Sequence, residues 1–163
     1  GELMGDHGLW LKGPFFYDGL VNVPLMMHTP ENNASVTEAL ASSVDIYPTC
    51  CELLGVPTPR SCDGMSQTPA LRGEKVRKEC LFGYRNGYFE NDVYNLGYVD
   101  EKYKFIQYQN GDVEMTDRIN DPEENVNIVY NGANPELLAE YRNKMLNMVL
   151  NTASKFPEQY CHA

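Results

Sequence analysis

The sequence predicts an α/β chain in which a loop, a short strand and a helix precede a small four-stranded antiparallel sheet packed by a C-terminal helix. Three observations carry this expectation. Val21–Met27 is a β-favouring apolar run that gives way, after a polar turn, to helical spacing from Ser35 to Leu54. Four further β-favouring runs follow at Cys80–Tyr84, Val93–Val99, Tyr103–Gln109 and Val113–Thr116. Finally, Pro135–Thr152 places Leu138, Tyr141, Met145, Met148 and Val149 at helical intervals.

Taken in order, residues 1–20 are rich in Gly with interspersed aromatics and read as a long loop that lines something. Val21–Met27 then reads as a buried strand, although Pro24 lacks an amide donor and argues for an edge or irregular position. From Ser35, apolar Val36, Leu40, Val44, Ile46 and Tyr47 precede Pro48, and a second helix over Thr49–Leu54 stops at Gly55 with Pro57 beyond it. Proline inside the start and glycine past the end are the usual helix punctuation. Asp45 stands where it would cap that helix, a structural role in preference to a catalytic one. Residues Glu74–Lys78 form a charged linker into the strands. Asp100-Glu101-Lys102 and Asn110-Gly111 are the turns, Asn-Gly being the strongest hairpin signal in the chain. Alternation along Tyr103–Tyr108 is imperfect, consistent with a sheet covered on one face by the last helix, whose methionines fill the core.

Composition bounds the function. The chain has 163 residues, 42% of them hydrophobic, with 11 Tyr and 6 Phe, which suits an ordered globular segment and not a disordered one. A net charge of -10 opposes nonspecific attraction to nucleic acid or anionic lipid. No run approaches the roughly 18 apolar residues of a membrane span. The five cysteines, Cys50, Cys51, Cys62, Cys80 and Cys161, include no Cys-x-x-Cys pair, so neither a zinc knuckle nor a closed disulfide set is indicated. Cys50 and Cys51 fall in an apolar helical pattern and read as core thiols. Asn33-Ala34-Ser35 fits the glycosylation acceptor pattern, and no internal repeat or low-complexity tract is present.

Four motifs, in order, suggest a family. The first is Glu2-Leu3-Met4-Gly5-Asp6-His7-Gly8-Leu9-Trp10-Leu11-Lys12, followed by Val23-Pro24-Leu25. The second is Asp45-Ile46-Tyr47-Pro48-Thr49, an apolar helix and Gly55-Val56-Pro57. The third is Asp63-Gly64-Met65-Ser66 with Pro69-Ala70-Leu71-Arg72-Gly73. The fourth, Glu114-Met115-Thr116-Asp117 leading to Asp121-Pro122-Glu123-Glu124-Asn125-Val126-Asn127, looks like a Glu-Leu-Tyr-Asp then Asp-Pro-x-Glu-x-x-Asn ending. Together they resemble the formylglycine-dependent sulfatases of the alkaline-phosphatase superfamily. The departures are Asn22 for the arginine before Val-Pro, Gln67 for leucine, Met115-Thr116 for Leu-Tyr and Arg118 for leucine.

The resemblance implies that the chain begins within the first motif and is the C-terminal portion of a sulfatase. Residues 1–74 would end the large α/β domain with an edge strand and a helix, and 75–163 would form the smaller α+β domain. In such enzymes the lysine at the position of Lys12 contacts the sulfate, where an ammonium suits the charge that develops during attack at sulfur. His7 would orient the loop or touch the leaving group, with a purely structural histidine as the alternative. Trp10, Tyr84 and Arg85 would contact substrate, the last two with Asn86 and Tyr88 forming a polar aromatic group at a strand end, an ordinary turn being the alternative.

Asp6 and His7 alone are too few ligands for a cation that takes about six or more oxygens, so no metal ligand is assigned to this chain. Ca²⁺ and formylglycine are implied for the complete enzyme. Formylglycine arises within Cys/Ser-x-Pro/Ala-x-Arg, a pattern that no cysteine or serine here begins. The chain by itself is therefore expected to be catalytically silent, its partners being a sulfate ester, such as a sulfated sugar, and the remainder of the polypeptide. A phosphonate monoester or phosphodiester hydrolase of the same superfamily is the alternative enzyme. A noncatalytic carbohydrate-binding or interaction module is the alternative of another class.

Overall fold

A computed structural model describes residues 1–30, 35–86 and 93–153. The elements are α1 (Asp18–Val21), α2 (Ile46–Leu53), β1 (Glu79–Asn86), β2 (Val93–Asp100), β3 (Tyr103–Gln107), β4 (Val113–Asp117) and α3 (Pro135–Ala153). They fall into two compact units, Gly1–His28 with Leu81–Met145, and Thr29–Cys80 with Leu146–Ala163.

The first unit is built on a meander in the order β1-β2-β3-β4. Tyr98 pairs with Phe105 across β2 and β3, and Phe105 with Met115 across β3 and β4, all three buried. A two-residue periodicity then assigns the faces. Tyr98 and Tyr103 meet Tyr141 of α3 edge-on, at centroid distances of 5.8 and 5.4 Å. The opposite face carries Gly97, Lys104 and Ile106, and there Phe82 packs on Phe16 at 5.2 Å. A Cβ on Gly97 would stand 2.1 Å from the Phe82 ring, so the residue must be glycine for β1 to lay that ring across β2. Two covered faces explain why alternation along β3 is imperfect in the sequence.

Asp100 closes the β2–β3 turn by accepting from the amides of Lys102 and Tyr103 at 2.8 and 2.9 Å, and its other oxygen accepts from the Tyr141 hydroxyl at 2.7 Å. Asn134 caps α3 through the Glu136 amide at 2.9 Å, with Pro135 in the first turn, where an amide has no helical partner to lose. The outer edge of β4 is covered. Asn127 accepts from the Met115 amide and donates to the Val113 carbonyl, and the Ile128 amide donates to the Met115 carbonyl.

The predicted strand over Val21–Met27 does not form. Val21 ends α1, and residues 22–29 have no regular structure, with Val23, Leu25 and Met26 exposed. A strand needs a ladder partner, and among the described residues none pairs with this segment, in which Pro24 removes a donor.

In the second unit, the helical spacing from Ser35 forms no α-helix before Ile46, only a single 3-10 turn at Ser43–Asp45. Residues 35–39 are irregular and Leu40 bridges Arg77, while α2 runs through Pro48 in its first turn. Asp45 is fully buried and serves as a hub; its position before α2 is that of a cap, but its carboxylate makes no capping bond to that helix. It accepts from the Ser42 and Met65 amides and the Gln67 side chain at 2.9 Å each, and forms a two-point ion pair with Arg77. Arg77, read from the sequence as part of a charged linker, is therefore buried. Gly64 passes so close to Val44 that a Cβ would lie 1.9 Å from its carbonyl oxygen, which accounts for glycine in Asp63-Gly64-Met65-Ser66. Of the two thiols read as core, Cys51 is buried and Cys50 is exposed, because adjacent helical positions point about 100° apart. Asn33 and Cys161 lie outside the described residues.

Candidate active site

The glycine-rich start folds back on itself in the first unit. The Leu3 amide donates to Leu11, Gly5 to Leu9, and Glu2 to Gly19, at 3.2, 2.9 and 3.0 Å. Closing so tight a loop sets Met4, His7 and Leu11 in the left-handed region, at φ of 53°, 53° and 66°. Non-glycine residues there carry backbone strain, which clusters at functional loops. Leu3 is buried and anchors the loop.

The loop presents His7, Trp10 and Lys12 together on one element. The His7 ring lies flat on Tyr17, with centroids 3.7 Å apart and 12° between planes, so one imidazole face is fixed while its nitrogens remain able to donate or accept. Lys12 is exposed and follows the left-handed Leu11. Its neighbours Trp10 and Leu11 are 71% and 69% exposed, so they pack no wall around it. The turn-back buries Leu3 and directs its neighbours outward. Tyr84 and Arg85 lie on β1, where consecutive residues face opposite sides; Tyr84 is half-buried and Arg85 exposed. The structure does not present both on one face. Tyr88 lies outside the described residues.

What the sequence did not reveal is the support behind the loop. Lys104 of β3 is buried, and its ammonium pairs with both Asp18 and Glu124 while donating to the Phe16 carbonyl at 3.0 Å. Glu124 also accepts from the Asp18 amide at 2.6 Å. A buried lysine is stable only when its charge and its donors are met, and here two carboxylates and a carbonyl meet them. The cluster ties the segment bearing Tyr17 to the sheet and to the Asp121–Asn127 motif. One signal was available: a lysine inside the apolar run of β3 needs acidic partners, and Glu124 stands in a motif already singled out.

Beside Tyr17 the loop-covered sheet face opens into a concavity of about 430 Å³. Its walls include Phe15, Tyr17, Tyr108 and Tyr130. Burial, then the charges of Glu114 and Glu124, push the Tyr17 hydroxyl above its ordinary value. Among the described residues, no group of three or more His, Cys, Asp or Glu could hold a metal ion, and no helix is long and apolar enough to cross a membrane.

Residues 5–151 match the family N-sulphoglucosamine sulphohydrolase, C-terminal. The chain is 31% identical over 150 residues to a Δ4,5-hexuronate-2-O-sulfatase of Bacteroides thetaiotaomicron, covering 87% of this chain and 31% of that protein. Its structure resembles a 2-O GAG sulfatase, with a TM-score of 0.86 and 26% identity over 96% of this chain and 35% of the other. It also resembles a protein solved with its substrate D-glucosamine-2-N,6-O-disulfate, with a TM-score of 0.76 and 25% identity, covering 98% of this chain and 33% of that one. The chain thus spans about a third of the length of the relatives it matches.

Proposed function

Because the chain belongs to the N-sulphoglucosamine sulphohydrolase C-terminal family of sulfatases, we propose that it forms part of an enzyme hydrolysing sulfate esters of sugars, and that Lys12 is its contribution to the sulfate site. The observation that carries this reading is the family match over 5–151, which includes a strained loop offering Lys12 to solvent beside a clamped His7. The Lys12 ammonium would meet negative charge developing on the sulfate oxygens. His7, held by Tyr17, would address the leaving oxygen. Trp10 would lie against the sugar, and of the pair Tyr84 and Arg85, which face opposite sides of β1, only the exposed Arg85 would reach a more distant part of it.

Ca²⁺ and formylglycine belong to this reading as contributions of the complete enzyme. The described residues do not fit either one, offering neither a metal-binding group nor a Cys/Ser-x-Pro/Ala-x-Arg pattern. The remainder of such an enzyme would cover α2, whose Ile46, Tyr47 and Leu53 are 49%, 56% and 46% exposed. A sulfated sugar is favoured as substrate by the likeness to a protein that binds a glucosamine disulfate.

The test is release of 4-methylumbelliferone from its sulfate by the complete polypeptide carrying this chain. Lys12→Ala is expected to lower kcat by about 10²–10³, the scale of removing one donor to developing charge, with melting temperature unchanged because the side chain is exposed. Full activity in that variant, or no sulfate release by the unaltered polypeptide, would count against the reading. The 163-residue chain alone is expected to release none.

A further inference from the structure

We propose that the concavity beside Tyr17 is a saccharide subsite that accepts an uncharged sugar ring and turns away sulfated or carboxylated ones. The inference rests on the reading of the chain as part of an enzyme acting on sulfated sugars, and it concerns a unit of the substrate other than the one that loses sulfate.

Size and lining both suit a sugar. At about 430 Å³ the space lies within the roughly 300–1,000 Å³ of ligand pockets. A pyranose has apolar C–H faces and a rim of hydroxyls. Phe15, Tyr17, Tyr108 and Tyr130 supply apolar faces with phenolic edges, and Asp112 and Glu114 supply carboxylate oxygens, the Asn110 and Asn127 side chains being engaged with Asp112 and the β4 edge.

Charge then narrows the ligand. Two carboxylates line the space and, among the described residues, no Lys, Arg or His does. An anionic sugar would enter against like charge without a counter-ion, which costs affinity. A divalent cation is no better served, since one oxygen of Glu114 accepts the Tyr108 hydroxyl at 2.7 Å and one of Asp112 accepts from Asn110 at 2.7 Å. Those bonds leave one unengaged oxygen on each carboxylate, and two carboxylates fall short of the roughly six or more oxygens that Ca²⁺ takes while suiting sugar hydroxyls. Nor can a peptide add to β4 as a strand, because Asn127 and Ile128 already occupy its edge.

The experiment is saturation-transfer NMR on the complete polypeptide with the methyl glycosides of glucose, galactose, mannose, N-acetylglucosamine and fucose, and separately with methyl glucuronide. At least one neutral glycoside is expected to bind and the glucuronide not to bind. Tyr130→Ala, at a side chain 80% exposed, is expected to weaken that binding about tenfold, the loss of one aromatic contact. Asp112→Lys is expected to admit the glucuronide. Absence of binding by every neutral glycoside overturns the proposal. So does equal binding of the glucuronide by the unaltered protein, or neutral binding that survives Tyr130→Ala unchanged. Hydrolysis of 4-methylumbelliferyl sulfate, which carries no sugar, tests the sulfatase reading separately, so the two can fail independently.

Discussion

Asp45 and Arg77 show how a motif residue can be recognised and still be misassigned. Asp45 was legible as structural from its place before Pro48, yet its main partner lies 32 residues away in a stretch that reads as a charged linker. Nothing local in Glu74–Lys78 distinguishes Arg77 from its neighbours, because its burial comes from tertiary pairing alone. Gln67, a departure from the family pattern, proves to donate to the same carboxylate. Burial by itself would raise the Asp45 carboxyl; the Arg77 bond and the Met65 and Ser42 amides outweigh it and hold the group below its usual value. A depressed folded value contributes stability that is full above about pH 4, the unfolded value, and is lost as pH falls through the folded one. Arg77→Met leaves a buried charge unpaired and is expected to cost about 3–5 kcal/mol. It should also move acid unfolding to higher pH, because burial is then opposed only by the Met65 and Ser42 amides. Urea titrations at neutral pH, repeated down to acid, check both; unchanged stability would contradict the hub.

At the scale of elements, the sheet was legible and the first strand was not, for the same reason. β2, β3 and β4 pair with sequence neighbours across short turns, so propensity, the Asn-Gly signal and tertiary pairing agree. Val21–Met27 has strand propensity and no partner among the described residues, and propensity without a ladder forms nothing. The β1–β2 contact rests on Gly97, where a methyl group would enter the Phe82 ring, itself held against Phe16. Gly97→Ala is expected to destabilise by about 1–3 kcal/mol. In a Phe82→Ala background most of that cost should vanish, a coupling that a double-mutant cycle by thermal unfolding would read. The loop of Lys12 was legible as a loop from its glycines; its outward display of Trp10 and Leu11 was not, since side-chain direction there depends on left-handed residues that no composition rule marks.

At the scale of the whole molecule, family membership and the conspicuous loop were readable, whereas the Lys104 cluster and the acidic concavity were not. Both depend on segments distant in sequence meeting on one sheet face. That meeting has a kinetic consequence. The Lys104 ammonium reaches an aspartate 86 residues upstream and a glutamate at position 124, so its desolvation is compensated only after three separate stretches have assembled. The meander, with its short turns, closes at far lower entropic cost and should nucleate first. Lys104→Met should therefore leave the stopped-flow refolding rate nearly unchanged and speed unfolding, the signature of a contact absent from the folding transition state. The residue behind the loop then acts as a lock on escape from the native state, setting how long the loop of His7 and Lys12 persists before the chain opens.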